Sequence, residues 1–196
     1  MGSTVFGSVL FRDIFGTAEM RAVFDDAALV GRYLEVEAAL AHAQSRCSIV
    51  SKAAAEAIDA AVRTIKVDFD KLRHETEIVG YPILPLMYQL AKAAGAAGRF
   101  VHWGVTTQDI MDTATVLRIR AALDIVARDL REVGSILADM GLKYRNTPMA
   151  GRTHLQRARP ITFSCKAAVW LICDYLGTKR IWMPYGTDAP NSFVMR

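Results

Sequence analysis

Cysteine, proline, basic runs and long apolar runs are all scarce in this chain, and each shortage excludes something. Three cysteines occur, Cys47, Cys165 and Cys173. Their spacing fits no metal site, and an odd count argues against a disulfide framework. Basic residues never form a run of about five, so the net charge of +4 is too diffuse for a nucleic-acid arm. No apolar stretch reaches about 18 residues, so no membrane span is expected. The opening segment carries Arg12 and Asp13 inside its apolar stretch, unlike a signal peptide. A His-Glu-x-x-His string, a glycine-rich phosphate loop and a Gly-x-Ser-x-Gly elbow are missing. Strand signals are nearly absent. These exclusions leave a reduced, cytoplasmic protein without a metal. Its alanine-rich, 52% hydrophobic composition points to an all-α fold.

The helical signals are strong. After an irregular lead-in, Thr17 and then Asp25-Asp26 offer N-caps for two helices. In the second, Leu29, Tyr33, Val36, Leu40 and Ala43 fall on one face. Ser51 caps an alanine-rich helix to Thr64. A short polar helix over 68–78 is broken by Gly80-Tyr81-Pro82, and an apolar helix over 83–96 is ended by Gly95. The clearest pattern follows. Val116, Ile119, Leu123, Val126, Leu130, Val133, Leu137 and Met140 recur at spacings of three and four, with no proline or glycine between Thr106 and Gly134. This heptad predicts one helix from about Thr107 to Tyr144, roughly 55 Å long. A chain of this size cannot cover it on all sides, so its surplus face should meet another subunit. From about Gly177 the helical period fades and turn residues take over.

Two polar clusters flank the long helix. The first is His102, Gly104, Thr106, Thr107, Gln108, Asp109 and Asp112. A Thr cap with Asp109 in the first turn is an ordinary helix start. The same geometry offers free N–H groups and a positive dipole end to a carboxylate, with His102 as a further donor. The second is Gly151-Arg152-Thr153-His154-Leu155-Gln156. Arg152 suits a carboxylate, His154 can exchange a proton near neutral pH, and Gln156 is a neutral donor. They also read as loop residues before a helix opened by Pro160. His42 reads as structural and His74 as exposed.

His102-Trp103-Gly104-Val105-Thr106-Thr107-Gln108-Asp109-Ile110-Met111-Asp112-Thr113 resembles the first signature region of the fumarase/aspartase superfamily, and Gly151 to Gln156 its second. Tyr33 to Ala41 looks like the superfamily's opening domain, and the likeness runs from about Val9 to Leu171. Among its groups, the 3-carboxy-cis,cis-muconate cycloisomerases resemble the chain most, through the Thr107-Gln108-Asp109 string and Phe11 to Phe24. The adenylosuccinate lyases are the runner-up, and His154 is the lyase-like choice.

The resemblance implies a small N-terminal helical domain over 1–104, the first part of a central helical bundle over 105–176, and a tail over 177–196 unlike the family. It implies elimination beside a carboxylate, or its intramolecular version, lactone formation in aromatic degradation. By position, Thr106, Thr107 and Gln108 would hold a substrate carboxylate together with His102. Arg152, Thr153 and Gln156 would bind and polarise it, and His154 would be the catalytic acid. No metal or organic cofactor is implied. The substrate would be a small polycarboxylate, with no nucleic-acid or membrane partner. The assembly would be a homotetramer whose sites combine regions of three subunits. The superfamily's Ser-Ser-x-Met-Pro-x-Lys-x-Asn loop, which carries its catalytic base, has only a superficial echo here, at Met183-Pro184. The expectation is therefore a truncated piece of the fold, inactive alone. The other class of reading is a non-catalytic helical fragment that self-associates or joins a longer partner.

Overall fold

A computed structural model of the chain describes residues 4–182. It divides into two compact units, Met1–Ala122 and Leu123–Arg196, with the division inside one long helix.

The first unit is built by caps and apolar faces. A 3-10 turn at Val5–Gly7 precedes α1 (Ala18–Phe24), whose N-cap Thr17 accepts from the Met20 N–H. Asp25 caps α2 (Asp26–Arg46), Ser51 caps α3 (Lys52–Thr64) and Asp68 caps α4 (Phe69–Val79). Each cap satisfies a backbone donor that the helix cannot. Gly80 ends α4 with φ +90°, a conformation open to glycine at little cost. Helix α5 spans Ile83–Ala93, with Pro85 in its first turn, where a missing N–H is harmless. It stops before the expected end at 96, because the chain tightens into a 3-10 turn at Gly95–Phe100. The main core joins Val30 and Leu34 of α2, Leu72 of α4, Ile83, Leu86 and Leu90 of α5, and Ile110 of α6 (Thr107–Lys143). A second, alanine-lined cluster lets α2 and α3 approach closely around Ile58.

The buried face of α2 departs from the expected stripe. Its centre runs through Tyr33, Glu37, Ala41 and Gln44, while Leu40 and Ala43 lie at the margin. Two polar side chains occupy the seam because they have partners there, described below.

In the second unit, α6 continues to Lys143, close to its expected end. Strands β1 (Pro148–Thr153) and β2 (Gln156–Thr162) then form an antiparallel hairpin, and α7 runs Phe163–Trp182. The helical class stands with this one small sheet added. Pro160 opens no helix: it lies in β2 opposite Ala150, and α7 begins three residues later. A proline is tolerated there because a two-stranded ribbon has only edges. Helix α7 also passes Gly177, where the period was expected to end. The rest of that tail, 183–196, lies outside the described residues. Gly134 of α6 faces the Asp174 side chain of α7, since a Cβ there would stand 2.9 Å from its Oδ2. Much of the heptad stripe stays open on this chain: Val116, Ile119 and Val133 are 57%, 42% and 46% exposed. Among the described residues no helix is long and apolar enough to cross a membrane.

Candidate active site

The first segment lies in the first unit and is clamped by α2. Glu37, 2% exposed, uses both carboxylate oxygens on one residue. Its Oε2 accepts the His102 backbone N–H at 3.1 Å, and its Oε1 lies 2.6 Å from the His102 ring Nδ1. One heptad on, Gln44 Nε2 donates to the Trp103 carbonyl at 2.5 Å. These bonds hold a tight bend in which His102 (φ +59°) and Gly104 (φ +74°) are both left-handed. A histidine is uncommon there, and surrounding contacts must hold it.

The bend delivers the chain to the start of α6. The Asp109 carboxylate accepts from both the N–H and the hydroxyl of Thr106, each at 2.9 Å, and the Thr106 hydroxyl accepts the Asp109 N–H at 3.3 Å. This reciprocal pair is a capping box with Asp in place of Glu. The Thr106 N–H, and then its hydroxyl, hold the Asp109 carboxyl below its ordinary value. Gln108 donates to Asp112 at 2.6 Å. Thr107 has no side-chain hydrogen bond among the described residues. Ile110, 1% exposed, and Ala114, fully buried, seat this turn on the core. Nearby on α2, burial raises the Tyr33 hydroxyl above its ordinary value, with Arg118 acting in opposition.

The second segment lies in the second unit and is the hairpin itself. Arg152 and Thr153 end β1, and Gln156 begins β2. The two-residue turn is His154-Leu155, with φ of +43° and +63°. Two positive φ values mark a type I′ turn, which normally takes Asn and Gly. Leu155 is fully exposed, so no burial compensates for its backbone. The turn displays His154 at a tip flanked by Arg152, Thr153 and Gln156.

The register adds a residue that spacing alone did not single out. Arg157 faces Arg152 directly across the ribbon. Like charges so placed repel, and neither has an acidic partner among the described residues. Beyond them the register shifts, setting Gly151 against a bulge in β2. A Cβ on Gly151 would meet the Arg159 carbonyl at 2.5 Å, so the close approach requires glycine. A shallow open groove between hairpin and α7 is lined by Met149, Arg152, Ile161, Lys166 and Trp170.

Two histidines remain, His42 and His74. His42 lies 3.8 Å from Asp59, and His74 is exposed. Glu37 and Arg157 are the residues that sequence reasoning missed. A carboxylate on the seam of an amphipathic helix was the available signal for Glu37; Arg157 needed the register.

The chain also matches known proteins. The lyase family model, described simply as Lyase, matches residues 15–180. The chain is 42% identical to N-acetyl-S-(2-succino)cysteine lyase of Enterococcus italicus, over 87% of the chain and 38% of that protein. A crystal structure of fumarate lyase from Mesorhizobium sp. BNC1 shares 50% identity with a TM-score of 0.83, over 86% of this chain and 40% of that one. The 3-carboxy-cis,cis-muconate lactonizing enzyme from Pseudomonas putida shares 35% with a TM-score of 0.86, over 91% and 41%. The chain thus spans about two fifths of the length of the relatives it matches. On the extent of the family match and these likenesses, the chain belongs to the lyase family of the fumarase/aspartase superfamily.

Proposed function

We propose that this chain supplies two of the carboxylate-handling segments of an enzyme that makes or breaks a bond beta to a carboxylate. The observation that carries this reading is the hairpin turn, which displays His154 between Arg152, Thr153 and Gln156 in an unfavourable backbone conformation. Such strain clusters where function needs a fixed geometry. The uncompensated Arg152–Arg157 pair suits a polycarboxylate, whose charge would relieve the repulsion.

In the elimination, a base removes the proton from the carbon beside the retained carboxylate. The bond to the leaving atom then breaks, a double bond forms, and His154 gives the leaving atom its proton. Arg152, Thr153 and Gln156 stabilise the charge that builds on the carboxylate. In the assembly, Thr107, Gln108, His102 and the free N–H groups that open α6 of another copy bind a second carboxylate, while Thr106 holds the turn. Two finer readings divide on named residues. The Thr107-Gln108-Asp109 string favours cyclisation of 3-carboxy-cis,cis-muconate. The titratable His154 favours a C–N or C–S lyase acting on a succinyl group, the kind of substrate named for the Enterococcus italicus relative.

These residues contain no Ser-Ser-x-Met-Pro string. The chain by itself therefore binds polycarboxylates without turning them over, and its open α6 stripe joins further copies or a longer partner. The test is an ultraviolet assay of the purified chain with 3-carboxy-cis,cis-muconate and adenylosuccinate in parallel. Silence on both, with fumarate shifting the His154 ring signals, is the expected result. Turnover of either would assign the substrate and overturn the inactivity. Fumarate leaving His154 unmoved would overturn the assignment of the hairpin.

A further inference from the structure

The Glu37–His102 pair is more than a helix contact. A buried carboxylate needs partners, and this one takes both from a single residue of the bend: the backbone N–H at 3.1 Å and the ring Nδ1 at 2.6 Å. The ring keeps 19% of its side-chain surface open, whereas the Glu37 side chain keeps 1%. His102 Nε2 has no protein partner among the described residues, and it is not one of the buried unpartnered atoms. One ring nitrogen is thus committed inward and the other faces outward.

The carboxylate decides which nitrogen carries the proton. An ionised carboxylate only accepts, so the nitrogen facing it must donate. The neutral ring then holds its hydrogen on Nδ1 and offers a bare Nε2. A histidine free in water prefers the opposite tautomer, with its hydrogen on Nε2. We infer that Glu37 is a positioning residue: it locks the ring of His102 in the Nδ1–H form and turns Nε2 outward, where it meets a substrate carboxylate by taking up a solvent proton and donating it. The inference rests on the carboxylate-binding reading of the first segment for what Nε2 meets, and on geometry alone for the tautomer. Gln44 supports the lock by pinning the next carbonyl, so that the bend cannot rotate the ring away.

Nitrogen-detected NMR of the histidine rings in the full chain tests this without any turnover. The expected result for the unmodified protein, at a pH where the ring is neutral, is a protonated Nδ1 and a bare Nε2. A dominant Nε2–H form would overturn the inference, whatever the chain binds. In Glu37→Gln, which keeps shape and removes charge, the majority form should pass to Nε2–H, and Glu37→Asp should restore part of the Nδ1–H population. An unchanged majority in Glu37→Gln would also overturn it. A fumarate titration separates the two readings. Shifts at both His102 and His154 support both. A shift at His154 alone overturns the role given to Nε2, and no shift at either removes the carboxylate-binding reading while leaving the tautomer result to stand by itself.

Discussion

Replacing Ile110 by alanine removes three carbons from a side chain that is 1% exposed and shares a core with Leu34, Leu86 and Leu90. At about 0.8 kcal/mol per buried methylene, the transfer loss is about 2.4 kcal/mol. The cavity left beside fully buried Leu86 and Leu90 adds to this, giving a total of about 3 kcal/mol, inside the usual range for such truncations. Ile119→Ala is the matched control. It makes the same chemical change in the same helix and the same unit, but Ile119 is 42% exposed. Its cost should stay below about 1 kcal/mol, because little cavity forms and alanine favours the helix. Urea unfolding followed by far-ultraviolet circular dichroism measures both. With a slope of about 2 kcal/mol per molar, Ile110→Ala should lower the midpoint by about 1.5 M. Equal losses at the two positions would refute the reasoning, since the first turn of α6 would then not be seated on this core. The result matters for function because Ile110 follows Asp109 directly and holds the first segment in place.

Two further outcomes follow from the geometry. The Asp109 carboxyl lies below its ordinary value of 3.8 in the folded chain, so its contribution to stability is complete above that pH and fades as the pH falls through the lower folded value. Thermal midpoints of the wild type and Asp109→Asn should therefore differ at neutral pH and converge in strong acid; a constant gap would contradict the capping role. Gly151→Ala forces a Cβ to within 2.5 Å of the Arg159 carbonyl and should cost about 2 kcal/mol, whereas Gly31→Ala in α2 meets nothing within 4 Å and should stabilise by about 0.5 kcal/mol. Calorimetry that showed both changes to be neutral would remove the argument for close approach at the bulge.

Local chemistry made most of the helices legible. Thr17, Asp25, Ser51 and Asp68 cap where short polar side chains precede an apolar period, and α6 follows from an unbroken heptad. The hairpin was not legible, because β1 and β2 are largely exposed and carry no alternation of apolar and polar residues. Its turn, His154-Leu155, lacks the Asn-Gly signature that announces such turns. The seam of α2 was misplaced by about one residue because an apolar count cannot know that Glu37 and Gln44 have partners some sixty residues away.

Sequence alone therefore determined the helical class, the caps, the length of α6 and the two polar segments that resemble the superfamily's signature regions. All of these depend on residues close together in the chain, where propensity and spacing act directly. Tertiary structure decided which side chains support those segments. Glu37 meets His102 only because α2 packs against the bend, and Arg157 faces Arg152 only because β2 pairs with β1 in one register. Both pairings arise from contacts that chain folding brings together, and no local pattern encodes the partner.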